Sequence, residues 1–298
     1  MTGPRDAGEP SPQRVSGMRV PVGWTLPGKP DGLDDTAEDA WRQTAFTCAE
    51  DLRLAAANLD LQARLAATGY TASARTMVMA GYAGLWSRAF SATSDSIGLV
   101  RRGAHQSALP LLRQAAEFIA AQRLDDAPEA WRRWTHAAYG RNEPARAVEI
   151  PLGERPPEAA IAADEHLRLI ARATDDLGGP AFGPTALFVA NEATRERYPL
   201  NFADHAFHLG WAELLLGWAL RLGLVQLRTS LDLGAHFPAP DALRAEAAAH
   251  LRDAEALLAS RDRCHLEESP DAGGTAPARL LLVQFRRRPG DAPRRVLL

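Results

Sequence analysis

Two sets of side chains have types and spacings that allow them to act together. Arg113 and Glu117 stand four residues apart in the run Ser107-Ala108-Leu109-Pro110-Leu111-Leu112-Arg113-Gln114-Ala115-Ala116-Glu117, so a helix presents both on one face. Leu109, Leu112, Ala116 and Phe118 surround that face. Charges in such surroundings are costly unless paired. The two are therefore either an internal salt bridge that fixes helix register or the polar wall of a site. The second set is Asp204, His205 and His208, with Glu213 following. Histidines at i and i+3 face the same way and can share a metal ion or a proton. The di-metal carboxylate bundles use E-x-x-H pairs, and none of the eight histidines here is preceded by Glu at that spacing. The sequence therefore predicts no metal and no cofactor.

Two further groups are weaker. Arg132, Arg133, His136 and Arg141 interleave with Trp131 and Trp134, a pattern that binds single-stranded nucleic acid through charge and stacking but equally describes an amphipathic surface helix. Trp86, Trp211 and Trp218 would serve a small-ligand pocket. Several chemistries are excluded. Nothing matches the P-loop, the dinucleotide fingerprint, the nucleophile elbow or H-E-x-x-H. Lys29 is the only lysine, which removes the P-loop lysine, the kinase lysine and an internal Schiff base.

With lysine nearly absent, arginine also takes over routine solubilising positions, so each arginine carries less functional information. The formal net charge of −3 gives no global basic field to attract nucleic acid. Cys48 and Cys264 cannot form a zinc cluster, and the N-terminus, rich in Pro and Gly, is no signal peptide. The most apolar stretch, Ala206 to Leu227, contains Glu213 and Arg221 and reads as a buried helix, not a membrane span. A reducing, cytoplasmic setting is expected.

The elements that must position these residues are mainly helical. Residues 1–33 show no periodicity and are predicted to be a disordered tail, with Trp24 and Leu26 able to dock. A helix follows from Asp35, where Asp35 and Glu38 resemble a capping box, to Gly69 as its terminating glycine. Helices are then predicted over Thr71–Arg102 and from Ser107 to about Leu124, with Pro110 in the first turn. Others follow over Pro128–Tyr139, Glu158–Leu177, Thr185–Arg197, Phe202–Leu233 and Pro240–Ser260. The helix from Phe202 is apolar on nearly all sides and belongs at the centre. Ala278–Phe285 and Arg294–Leu298 flank Pro289-Gly290-Asp291 and predict a hairpin, which must pack on the body because an isolated one is marginal. The expected fold is an all-α bundle of seven to eight helices over 34–262, with a linker and β-hairpin over 263–298.

The stretch Gly98-Leu99-Val100-Arg101-Arg102-Gly103-Ala104-His105-Gln106-Ser107-Ala108, followed by Leu111-Leu112-Arg113 and Glu117, resembles uncharacterised bacterial all-helical proteins with an L-L-R-x-x-x-E helix. In these, a Tyr and a His near the start of a later helix follow, and Tyr198 and His205 occupy those places. The resemblance spans residues 72–230. Such proteins are similar in turn to HEPN-type bundles, some of which are ribonucleases of prophage defence and toxin–antitoxin systems. The HEPN ribonuclease signature is an Arg followed by a His after four to six intervening residues. Arg141-Asn142 has no His within that reach, and Arg197 and His205 are eight apart. What the resemblance implies is the fold and a polar pocket.

The candidate polar cluster is thus Arg113, Glu117, Tyr198, Asp204, His205 and His208. The expected function is a regulatory or interaction protein, placed by the resemblance in a bacterial defence locus. The alternatives are a HEPN-like nuclease or other hydrolase with a polar site in the bundle, and a small-ligand-binding bundle. No membrane partner is expected, nucleic acid is a second choice, and a homodimer is compatible with the reading.

Overall fold

The computed structural model describes residues 19–72, 76–125, 127–139, 158–190, 193–200, 205–269 and 278–298. Ten helices precede a small antiparallel sheet among these residues. The helices are α1 (Asp35–Thr47), α2 (Ala49–Ala72), α3 (Met77–Arg101), α4 (His105–Gln122), α5 (Ala127–Tyr139), α6 (Glu158–Ala162), α7 (Glu165–Gly178), α8 (Phe182–Val189), α9 (Leu209–Asp232) and α10 (Asp241–Leu258). The strands β1 (His265–Ser269), β2 (Arg279–Phe285) and β3 (Arg294–Leu297) lie in sequence order.

The central helix is α9, as its composition predicts. It packs against α2, α3, α4, α10 and the sheet, and Leu214, Leu215, Leu216, Ala219 and Leu222 are buried on its different sides. It starts at Leu209, seven residues later than predicted. No helix among the described residues is long and apolar enough to cross a membrane.

Several boundaries differ from the sequence reading, each for a local reason. The predicted first helix breaks at Cys48 into α1 and α2. Its apolar stripe reads through the break because Cys48 N–H still bonds the Thr44 carbonyl and Leu52 N–H the Cys48 carbonyl, both at 3.0 Å. The cap of α1 is Asp34, which accepts from Ala37 N–H at 2.8 Å. Gly69 does not end α2. It lies inside the helix because a Cβ there would come within 2.9 Å of Phe237 Cα. The helix α4 begins at His105, which moves Pro110 out of the first turn and costs the helix one N–H donor. Asp164 accepts from His166 and Leu167 N–H at 3.0 and 3.1 Å, and this cap divides the predicted 158–177 helix into α6 and α7. The helix predicted over 185–197 is α8, ending at Val189, and residues 193–200 are irregular.

The sheet has three strands where two were predicted. The added strand, β1, reads His-Leu-Glu-Glu-Ser, too polar to show an alternating pattern, and pairs with β2 from His265↔Val283 to Ser269↔Arg279. In β2, Leu280 and Leu282 face the body. An irregularity between Leu282 and Phe285, with Gln284 at φ 59°, turns Phe285 inward as well.

The predicted tail divides. Residues 1–18 lie outside the described residues. Residues 19–33 form no helix or strand, yet Val20, Trp24 and Leu26 pack on the core. Trp24 N–H donates to Asp60 at 3.0 Å, and Arg101 donates to the Pro27 carbonyl at 2.6 Å while its guanidinium lies 3.5 Å from the Trp41 ring.

Candidate functional site

The first turn of α9 would leave its N–H groups without partners. Three are satisfied from two directions. His208 caps the helix by accepting from Trp211 N–H on Nδ1 at 3.2 Å. Leu209 and Gly210 donate to the carbonyls of Arg287 and Arg286 at 2.9 and 2.8 Å. The chain leaving β2 therefore crosses the start of the central helix. Gly210 permits the crossing, since a Cβ there would meet Phe285 Cδ2 at 2.9 Å and Arg286 N at 3.1 Å.

This crossing places the arginine-rich connection between β2 and β3 beside His208. A cavity of about 480 Å³ opens there, with Arg286, Arg287, Arg288 and Arg294 in its walls, together with Thr194, Phe285, Asp291 and His208. The carboxylate of Asp291 is drawn into the turn by Arg288 N–H at 2.9 Å. Arg286 donates to the Asp262 carbonyl at 3.0 Å, and its Nε is buried without a hydrogen bond. A second cavity of about 380 Å³ adjoins the first, sharing Arg287 and Arg288, and its other walls include Asp35, Thr36, Asp39 and Gln43 of α1.

His208 is 4% exposed and its ring stacks on Phe285 with centroids 4.5 Å apart. Burial first, then the nearby His105, Arg287 and Arg294, hold its pKa down to about 3. The ring is therefore neutral. With Nδ1 accepting, its proton is on Nε2, which makes no hydrogen bond among the described residues. His105, at the start of α4, is also buried, with its Nε2 unpartnered. Burial and then His205 hold its pKa down to about 3. The segment around His205 runs tightly over the α3–α4 turn. Gly103 has φ 78°, and a Cβ there would lie 2.2 Å from the His205 carbonyl oxygen. His205 Nδ1 is 3.6 Å from Asp34 Oδ2.

The sequence-predicted cluster does not assemble as one site. Arg113 and Glu117 do pair, at 2.9 Å, but Arg113 also reaches Asp175 and the Ala171 carbonyl of α7, both at 2.7 Å. Their side chains are 27% and 40% exposed, so the pair is partly buried, as expected, but not enclosed. No hydrogen bond or ion pair among the described residues links them to His205 or His208. Tyr198 is 64% exposed, and Asp204 lies outside the described residues. His205 and His208 do not share a helical face, because α9 starts only at Leu209; instead each lies near His105, which the sequence reading did not include.

The other groups have packing roles. Trp131 lies across α3, where a Cβ on Gly81 or Gly84 would come within 3.1 Å of it. Arg132 pairs with Glu129 at 2.8 Å. Arg141 and the side chain of His136 lie outside what is described. Trp211 stacks on Phe188 at 4.4 Å and meets Phe285 edge-on at 4.9 Å, and Trp86 contacts Phe90 at 5.1 Å. None of Trp86, Trp211 and Trp218 lines either cavity. Arg244 and His250 have the HEPN spacing, but His250 is buried against Asn58 at 3.3 Å while Arg244 is exposed and bonds the Ala239 carbonyl at 3.1 Å.

A buried ionic group ties the sheet to the bundle. Arg263 donates to Asp51 and, at 2.7 Å, to the Glu213 carbonyl, and Glu213 accepts from Cys264 N–H at 2.9 Å. Burial, then Asp51, pushes the Cys48 thiol up to about 12, and burial, then Glu213, raises that of Cys264. Both thiols are inert nucleophiles in this setting. Among the described residues no group of three or more His, Cys, Asp or Glu side chains is arranged to hold a metal ion.

The arginine connection is the part of the site that sequence reasoning missed. Its signal was present as Arg286-Arg287-Arg288 and Arg294-Arg295 around a Pro-Gly turn. In a chain where arginine replaces lysine, that density does not stand out from ordinary solubilising charge. No known family model, curated protein or solved structure matches the chain.

Proposed function

We propose that the protein is a binding protein that takes an anionic ligand in the cavity between the start of α9 and the β2–β3 connection. One observation carries this reading: Arg286, Arg287, Arg288 and Arg294 and the buried His208 imidazole line one concave space, and Asp291, the one carboxylate in its lining among the described residues, is tied into the turn. Guanidinium groups are the preferred partners of phosphate and carboxylate oxygens, and a cavity of about 480 Å³ is within the range of small-molecule sites. Binding is favoured over hydrolysis because a general base works best with a pKa near the operating pH, and burial holds His105 and His208 far below it. The reading retains a regulatory or interaction protein and adds a ligand whose occupancy it would report.

Thermal melts with and without millimolar pyrophosphate test it. A ligand present at a hundred times its Kd stabilises by about 2.7 kcal/mol. The wild type is expected to show a saturable rise in Tm, and the variant carrying both Arg288→Ala and Arg294→Ala to keep the unliganded Tm but not the rise. Absence of a rise in the wild type, or an equal rise in the double variant, would overturn the reading.

A further inference from the structure

The two cavities are chemically unlike. The first is cationic. The second has Arg287 and Arg288 on one side and, on the other, Asp35, Thr36, Asp39 and Gln43 from the opening turns of α1. Because the same two arginines line both, a ligand anchored by an anion in the first cavity would have to pass them to reach the second. The far end of that ligand meets carboxylates, a hydroxyl and an amide. Asp39 is already engaged by Arg42 at 2.5 Å and by Gln43. The Asp35 carboxylate makes no hydrogen bond or ion pair among the described residues.

Two kinds of group suit carboxylate acceptors: an ammonium and a set of hydroxyls. Charge separates them. An ammonium entering the second cavity approaches Arg287 and Arg288 as well as Asp35, so like charges oppose it. Neutral hydroxyls meet no such repulsion and use the mixture fully, donating to Asp35 and accepting from Gln43 or Thr36. At the anionic end, Arg286, Arg288 and Arg294, with one aspartate among the described lining residues, match the charge of a phosphate monoester better than that of a single carboxylate. His208, 4% exposed and in the wall of the first cavity, offers an N–H with no protein acceptor among the described residues, and a phosphate oxygen would satisfy it.

We infer that the two adjacent cavities together hold a sugar phosphate, with the phosphate among Arg286, Arg288, Arg294 and His208 and the hydroxyls against Asp35, Thr36 and Gln43. This rests on the anion-binding reading above and adds the chemical class of the ligand. The same chemistry occurs in a free sugar phosphate and at the phosphorylated end of a nucleic acid. The concave first cavity admits an end, not the middle of a strand.

Calorimetric titration of the full chain tests this with inorganic phosphate, ribose-5-phosphate, phosphoethanolamine, and a short oligonucleotide with and without a terminal phosphate. Ribose-5-phosphate is expected to bind about tenfold tighter than inorganic phosphate, the gain of one or two hydrogen bonds to charged groups. Asp35→Ala is expected to remove that advantage while leaving phosphate affinity unchanged. Gln43→Ala repeats the test on a second wall residue, and melts confirm that both variants fold. Terminal phosphorylation is expected to be required for any oligonucleotide binding. Affinity of the phosphorylated oligonucleotide above that of ribose-5-phosphate assigns the sugar phosphate to a nucleic-acid end, and equal or lower affinity assigns it to a free metabolite. Inorganic phosphate binding with no gain from ribose would overturn the sugar-phosphate assignment alone. Phosphoethanolamine binding tightest, or the unphosphorylated oligonucleotide binding as well as the phosphorylated one, would also overturn it. Failure of every phosphate probe to bind would overturn the anion site itself.

Discussion

Acidification should destabilise this protein through two imidazoles. In the fold His105 and His208 stay uncharged, each held to about 3 chiefly by burial, while an unfolded histidine titrates near its usual value of 6.5. The unfolded chain therefore binds more protons between these limits, and stability rises with pH across them. The contribution is fully present above about pH 6.5 and disappears as the pH falls towards about 3. Between about pH 8 and about pH 5 each imidazole costs the fold about 2 kcal/mol, or about 4 kcal/mol together, against a total stability of about 5–15 kcal/mol for a typical domain. His166 and His250, also lowered chiefly by burial, act in the same direction. Asp51 and Glu213, raised by burial, act oppositely in the lower part of the window, because the folded chain holds their protons more firmly. Urea unfolding followed by circular dichroism at the two pH values measures the difference. His105→Leu removes one imidazole and its unpartnered nitrogen, so it should leave stability at about pH 8 unchanged or slightly higher and reduce the acid loss by about 2 kcal/mol. An identical acid loss in wild type and variant would show that His105 is not held neutral by burial.

Two other substitutions probe ion pairs of opposite character. Arg263→Met strands the buried Asp51 carboxylate and should cost about 3–5 kcal/mol; a melting temperature matching wild type would mean that Asp51 finds another partner or is protonated. A double-mutant cycle with Arg113→Leu and Glu117→Met should return a coupling of at most about 1 kcal/mol, because both side chains are partly exposed. Arg113→Leu should cost more than Glu117→Met, since it also releases Asp175 and the Ala171 carbonyl. A coupling well above that limit would show that the pair is more strongly shielded from solvent than its exposure indicates.

The helical plan was legible because its apolar stripes are long. The stripe from Ala37 to Ala63 survives the break at Cys48, and the continuous apolar character of α9 identified the centre correctly. What failed to read were features decided by distant chain. Gly69 has the composition of a cap, but its reason is Phe237, far along the sequence. Asp164 divides a helix by side-chain capping that periodicity does not register. The strand β1 is too polar to alternate and exists because β2 offers it an edge. For the site, the spacing of Arg113 and Glu117 gave their pairing, but their exposure depended on where α7 lies. The two histidines were visible, whereas His105 joins them only through the α3–α4 turn. The arginine connection was present as composition, and only the crossing over Leu209 and Gly210 turns it into a concave surface.

That crossing also sets an order of events in time. Synthesis delivers α9 before Arg286 and Arg287, so until they arrive Leu209 and Gly210 lack the carbonyls that receive their N–H groups. During that interval the helices can associate through their apolar faces, whereas the cationic cavity has only part of its wall. An anion held as proposed would therefore find its full site only after α9 has been made. Under the anion-binding reading, its stabilising effect begins only once Arg286 and Arg287 have been made.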